Sequence, residues 1–140
     1  MEFNKSEIEK IIPQRDPILL VDHAVVTGEG KVEADVYIDP EWDIFRGHFP
    51  GQPVLPGVYI IESMAQTADI LLLLPEDMRG KIPVFMSVSR MRFQRPVTPG
   101  SHMHLTAQKL GESGGMTDFS VSAQVDGRRA ASGQITLIPK

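Results

Sequence analysis

His48 and Glu62 are the residues best placed to do chemistry. His48 lies in Gly47-His48-Phe49-Pro50-Gly51-Gln52-Pro53-Val54-Leu55-Pro56-Gly57, a loop stiffened by three prolines. An unperturbed imidazole titrates near pH 6.5, so it can accept a proton at neutral pH, and a rigid loop is what a positioned base requires. Glu62 follows about one turn into the apolar run that begins after Gly57. Between them, the free backbone N–H groups of Gly57 and Val58 at a helix start form a positive site for a carbonyl oxygen. A base, an acid and an oxyanion site fall within fifteen residues. That set suits α,β-elimination of water from a 3-hydroxyacyl compound, in which charge develops on the carbonyl oxygen as an α-proton leaves. No serine or cysteine adjoins the base, so nucleophilic catalysis fits poorly. Blander readings stand beside these: a loop histidine can simply bond its own backbone, and an early helical glutamate can simply complement the helix dipole.

The elements that must hold these residues can be read around them. Ser6-Glu7-Ile8-Glu9 has the form of a capping box opening a short helix to about Ile12, which Pro13 ends. Ile18 to Thr27 and Lys31 to Ile38 read as strands joined by Gly28-Glu29-Gly30. Residues 39–57 read as a long ordered loop, and Val58 to Leu74 as a helix of about five turns. Residues 83–93, 102–110, 117–126 and 128–138 read as strands, with Asp126-Gly127 as a hairpin turn. Thr117, Phe119, Val121, Ala123 and Val125 alternate with polar residues and mark an inner face. In the long helix Glu62, Gln66 and Asp69 form one narrow polar stripe in apolar surroundings. Such a helix must be covered on most of its circumference. The expected architecture is one α+β domain over 1–140, an antiparallel sheet curling around a central helix, with a dimer covering what one protomer leaves open.

Composition sets the outer limits. There is no cysteine, which excludes disulfides, thiolate catalysis and cysteine metal sites. The charged opening MEFNKSEIEK lacks the apolar core of a signal peptide, and the longest apolar run, Ile70 to Leu74, is too short for a bilayer, so a cytoplasmic protein is expected. The net charge of −4 is uneven: residues 78–111 hold six bases and no acid. A local anionic partner is one reading of that segment, and a solvated strand surface is the other.

Three segments resemble the 3-hydroxyacyl-[acyl-carrier-protein] dehydratases of the FabZ type. They are Ile12–Asp22 (IPQRDPILLVD), Gly47–Gln66 (GHFPGQPVLPGVYIIESMAQ) and Arg92–Gly100 (RFQRPVTPG). The central one is long and specific. The resemblance implies a hot-dog fold, a long helix wrapped by an antiparallel sheet. It implies active sites at a dimer interface, with hexamers built from three dimers, and no cofactor or metal. His48 of one protomer would remove the C2 proton, and Glu62 of the other would assist departure of the 3-hydroxyl. The Gly57 amide would bind the thioester carbonyl, with Val58 helping to fix the dyad. The related FabA type, which also isomerises the double bond, usually has aspartate at the position of Glu62. Acyl carrier protein, acidic and bearing a phosphate in its prosthetic arm, would be the partner of Arg90, Arg92 and Arg95, with help from Arg79 or Lys81. Arg90 and Arg92, two apart on a strand, should share a face.

Four positions depart from the family pattern: Gln14 where histidine is frequent, Asp16 and Val84 where aromatics are, and Ser101 where aspartate is. They bear on chain length and gating. His102 and His104 flank Met103 without a third metal ligand, His23 has no evident partner, and Trp42 is expected to pack the loop. The competing functions are thioester hydrolysis on the same fold and a non-catalytic acyl-carrier-binding or assembly module.

Overall fold

Alternation over 31–37, 102–107 and 117–123 gives those strands one apolar face, and a helix apolar on nearly every side gives those faces something to enclose. The computed structural model, which describes residues 1–140, has seven strands and one long helix. The elements in chain order are β1 (Glu2–Asn4), α1 (Lys5–Ile8), β2 (His23–Gly28), β3 (Lys31–Tyr37), α2 (Gly57–Leu73), β4 (Pro83–Phe93), β5 (His102–Ser113), β6 (Met116–Val125) and β7 (Arg128–Pro139). All pairings are antiparallel, in the order β1-β2-β3-β5-β6-β7-β4, so β1 and β4 are the free edges.

The inner face is the one expected from the alternation. Val32, Ala34 and Val36 of β3, Met103, Leu105 and Ala107 of β5, and Phe119, Val121 and Ala123 of β6 are all buried. They close on α2, in which every residue from Ser63 to Ile70 is buried. The Ser63 and Thr67 hydroxyls are satisfied within the helix, donating to the carbonyls of Tyr59 and Ser63 at 2.9 Å each. The helix is thus covered along its middle, and it is most open at its first turn, where Val58 is exposed. Asp126 and Gly127 both have positive φ (52° and 73°), the requirement of a tight type I′ hairpin.

Two expectations shift. The capping box lies two residues earlier than Ser6–Glu9: the Asn4 side chain accepts from Glu7 N–H at 2.9 Å, and Glu7 reaches back to Asn4 N–H at 3.0 Å. Asn4 is fixed there by β1, a three-residue strand whose pairing with β2 depends on tertiary contacts rather than on its own pattern. The strand expected from Ile18 begins only at His23. Leu20 and Val21 N–H instead donate to the Gln66 side chain at 2.9 and 3.3 Å, which takes them out of the ladder. The hot-dog architecture itself is as expected.

Candidate active site

His48 is held by its own loop. A short 3-10 turn, Asp43–Arg46, precedes it, braced by Trp42 stacked on Phe45. His48 N–H donates to Ile44 O at 3.1 Å, and Val54 N–H donates back to His48 O at 3.0 Å. Leu55 N–H then ties the loop to Val97 O at 2.8 Å. Nδ1 lies 2.8 Å from Val54 O. A carbonyl can only accept, so Nδ1 carries the proton and the neutral ring leaves Nε2 as a free base. The bland reading of a loop histidine is therefore realised at one nitrogen, and it is what frees the other.

The helix start lies against the same ring. His48, Gly57, Ile60, Phe93 and Arg95 line one cavity of about 340 Å3. Pro56 occupies the N-cap with no side-chain cap, and Gly57 and Val58 N–H donate to no protein acceptor. Both point along the positive end of the helix dipole. A side chain at Gly57 would bring a Cβ within 3.1 Å of the Phe93 ring. Glycine is thus the residue that lets Phe93 close the cavity over the amide.

Glu62 sits in a different network. Gln66 is wholly buried and uses its entire side chain. Its Oε1 accepts from Leu20 and Val21, while its Nε2 donates to Ile18 O at 2.7 Å and to Glu62 Oε2 at 2.8 Å. Burial pushes the Glu62 carboxyl up, the Gln66 and Gln14 amides draw it part of the way back, and the net shift is upward. A raised carboxyl suits a proton donor. Beyond it Gln14 Nε2 donates to Asp69 Oδ2 at 2.9 Å. Burial raises the Asp69 carboxyl to about 8, the Gln14 amide opposing and the Glu62 charge adding. The stripe marked these helix positions, but the parts played by Gln66, Gln14 and Asp69 were not foreseen. Fixed i, i+4, i+7 spacing was the available signal.

Within one protomer His48 and Glu62 are not brought together. Gly57 and Ile60 face the His48 cavity, whereas Glu62, five residues past Gly57, is turned by about 140° around the helix axis. It accordingly faces Gln66 and the Gln14–Val21 segment.

The basic residues are also distributed. Arg95 lines the His48 cavity and its guanidinium donates to Arg129 O at 3.3 Å. Arg90 has φ 54° at an irregularity between Ser89 and Arg92, and it lines a separate hollow on the outer face of the sheet with Ser120 and Ser122. Arg79 donates to the carbonyls of Leu73 and Leu74, capping the far end of α2 roughly 24 Å from Gly57. Arg79 is thus engaged at the end of α2 opposite Gly57. His23 has partners after all, with Nε2 2.7 Å from Glu2 Oε1 and Nδ1 3.7 Å from Asp35. His104 lies between Asp35 and Glu33 at 2.9 Å each, and His102 packs on Tyr37.

Relatives of the chain fit this geometry. Residues 24–134 match the ApeI-like family, described as ApeI dehydratase. The chain is 42% identical over 130 residues to a 3-hydroxyacyl-[acyl-carrier-protein] dehydratase FabZ of Acetivibrio thermocellus, covering 92% of this chain and 89% of that one. It is 41% identical over 134 residues to the protein of the same name from Ruminiclostridium cellulolyticum, covering 95% and 94%. Among solved structures, the dehydratase heterocomplex ApeI:P from Xenorhabdus doucetiae superposes with a TM-score of 0.80 at 17% identity, over 95% of this chain and 90% of that one. A hypothetical thioesterase from Streptococcus pneumoniae shares the fold at a TM-score of 0.63 and 11% identity, over 84% of each chain. With the hot-dog fold, the histidine loop and the near-full-length identity in agreement, this chain belongs to the FabZ and ApeI-like family of 3-hydroxyacyl-[acyl-carrier-protein] dehydratases.

Proposed function

We propose that this chain is a hydro-lyase that converts (3R)-3-hydroxyacyl-[acyl-carrier-protein] to the trans-2-enoyl product in fatty acid or related acyl-chain biosynthesis. The observation that carries this reading is the free Nε2 of His48 sharing one cavity with the unsatisfied amide of Gly57. Nε2 takes the C2 proton, and Gly57 N–H, with Val58 beside it, holds the thioester oxygen as charge builds there. The electron pair left at C2 forms the C2=C3 bond while the C3–O bond breaks. Glu62, carried as the acid, gives its proton to the departing hydroxide, which leaves as water. Only protons move, so no cofactor is required by the step.

The acid reaches this cavity from a second protomer in our reading. Two observations support it: the base and acid face opposite ways on one chain, and apolar surface gathers beside the free edge. Phe85, Met86 and Val88 of the edge strand β4 are 40–48% exposed, and Val58 at the helix start is 68% exposed. A self-complementary pair of such faces is the common form of a dimer, and three such dimers would make the hexamer the family resemblance implies. Acyl carrier protein is the partner we assign, with Arg95 at the cavity and Arg90 and Arg92 on β4 as its dock. A cytoplasmic place of action belongs to the same reading, and no helix is long and apolar enough to cross a membrane.

The test is an assay on carrier-bound 3-hydroxyacyl chains of several lengths, following both enoyl formation and release of free carrier thiol. Enoyl formation should fall about 10²- to 10⁴-fold in His48→Ala, the range for loss of a general base. Thiol release without enoyl product would point to thioester hydrolysis instead. Unchanged enoyl formation in His48→Ala would contradict His48 as the base, and absence of both products from the unsubstituted protein would leave a binding or assembly role.

A further inference from the structure

The polar stripe of α2 ends in a pair that the dehydration steps do not use. Asp69 is 2% exposed, seven residues past Glu62 on the same helix. Its one bond is the 2.9 Å contact from Gln14 Nε2 to Oδ2. Two buried side-chain polar atoms of the molecule have no partner, and they are the other halves of this pair, Gln14 Oε1 and Asp69 Oδ1. Both are acceptors while Asp69 is ionised, so neither can satisfy the other. One proton on Oδ1 changes that: it supplies a donor for Gln14 Oε1 and removes both orphans together.

Apart from the Gln14 amide, nothing packed against Asp69 favours its charge. The strands around α2 turn apolar side chains inward, among them Val36, Leu105, Val121 and Ile135. Arg15 adjoins Gln14, but its guanidinium is bonded to the carbonyls of Glu9, Ile12 and Gln14. Glu76 and Asp77 lie beyond the helix end and are exposed. The titratable neighbour that acts on Asp69 is Glu62, also an acid. A lone buried carboxylate in this setting is costly, and a neutral acid paired with an amide is not.

We propose that Asp69 is carried as the neutral acid, closes a two-bond ring with Gln14, and serves as a positioning residue for Glu62 by fixing the plane of the Gln14 amide. The link to Glu62 is that same amide, which also favours the charged form of Glu62. The upward shift of Asp69 to about 8 agrees with this assignment. Loss of the proton in alkaline solution removes one bond of the ring and sets a second negative charge near Glu62. The role in positioning rests on Glu62 being the acid of the dehydration, whereas the ring itself does not.

The ring can be read without any activity. In protein labelled with 13C at aspartate carboxyls, infrared difference spectra between about pH 6 and about pH 10 should show the carbonyl stretch of a protonated acid that disappears on alkalinisation. Asp69→Asn should lack that band. Absence of the band from the unsubstituted protein at about pH 6 overturns the proposal. For the positioning role, Asp69→Asn, whose amide can remake the ring, should keep kcat within about twofold at neutral pH and move the alkaline fall of kcat upward. Asp69→Ala should lower kcat about tenfold with KM little changed. An Asp69→Asn pH profile that superimposes on the parent profile, or equal losses in Asn and Ala, overturns the positioning role. Failure of dehydration in the unsubstituted protein would overturn the functional reading while leaving the infrared result to stand.

Discussion

Gly57 has to be small because Phe93 occupies the space a side chain would take. An alanine Cβ would sit 3.1 Å from two atoms of the ring, so the ring must retreat by some tenths of an ångström. Phe93 borders the cavity of His48, so this movement falls on the substrate rather than on the core. We expect Gly57→Ala to lower kcat/KM about tenfold, the scale of a small misplacement at a reacting centre. Folding stability should hold, because alanine is the better helix former. Phe93→Leu added to Gly57→Ala should recover part of the loss in the same assay. Full kcat/KM in Gly57→Ala alone would contradict the close-approach account. At this scale the sequence was informative about His48 and Gly57, since prolines, glycines and a helix start are local features. It could not show that Nδ1 is bonded to Val54 O, nor that Gln14 reaches Asp69, because such pairings depend on how the chain returns upon itself.

The sheet elements carry a separate electrostatic feature. His104 of β5 lies between Asp35 and Glu33 of β3 on the outer face. Partial burial disfavours its charged form, but the hydrogen bonds and charges of Asp35 and Glu33 outweigh that, so its pKa is raised above 6.5. A raised histidine contributes stability in full below its unfolded-state value, and loses it as pH rises through the higher folded-state value. His104→Gln should therefore lower Tm chiefly on the acid side of that window, with the two Tm curves converging above it. Parallel curves across pH in thermal unfolding would contradict the assignment. The spacing of His102 and His104 about Met103 did not reveal their partners, which sit about seventy residues away. His23 was left without a partner for a related reason. Glu2 belongs to a three-residue strand with too little pattern to announce itself. The strand from Ile18 failed differently: Leu19, Leu20 and Val21 are buried, but the Gln66 side chain takes the N–H groups of Leu20 and Val21.

At the scale of the whole molecule, one chain holds the parts of a site without assembling them. His48, Gly57 and Arg95 share a cavity, while Glu62 faces Gln66 on the other side of α2. In our proposal a second copy pairs along the free edge β4 and its exposed apolar residues. The fold was legible because the helix could be covered in few ways. The separation of His48 from Glu62 was implied only by the family resemblance, since it depends on which side of α2 the histidine loop packs. The most direct measurement is complementation between His48→Ala and Glu62→Gln, each inactive alone, mixed and refolded together in equal amounts. Sites shared between protomers would leave each mixed dimer with one intact site, and random pairing would restore about a quarter of the parent dehydration rate. Mixed dimers that form and stay inactive would contradict the shared site.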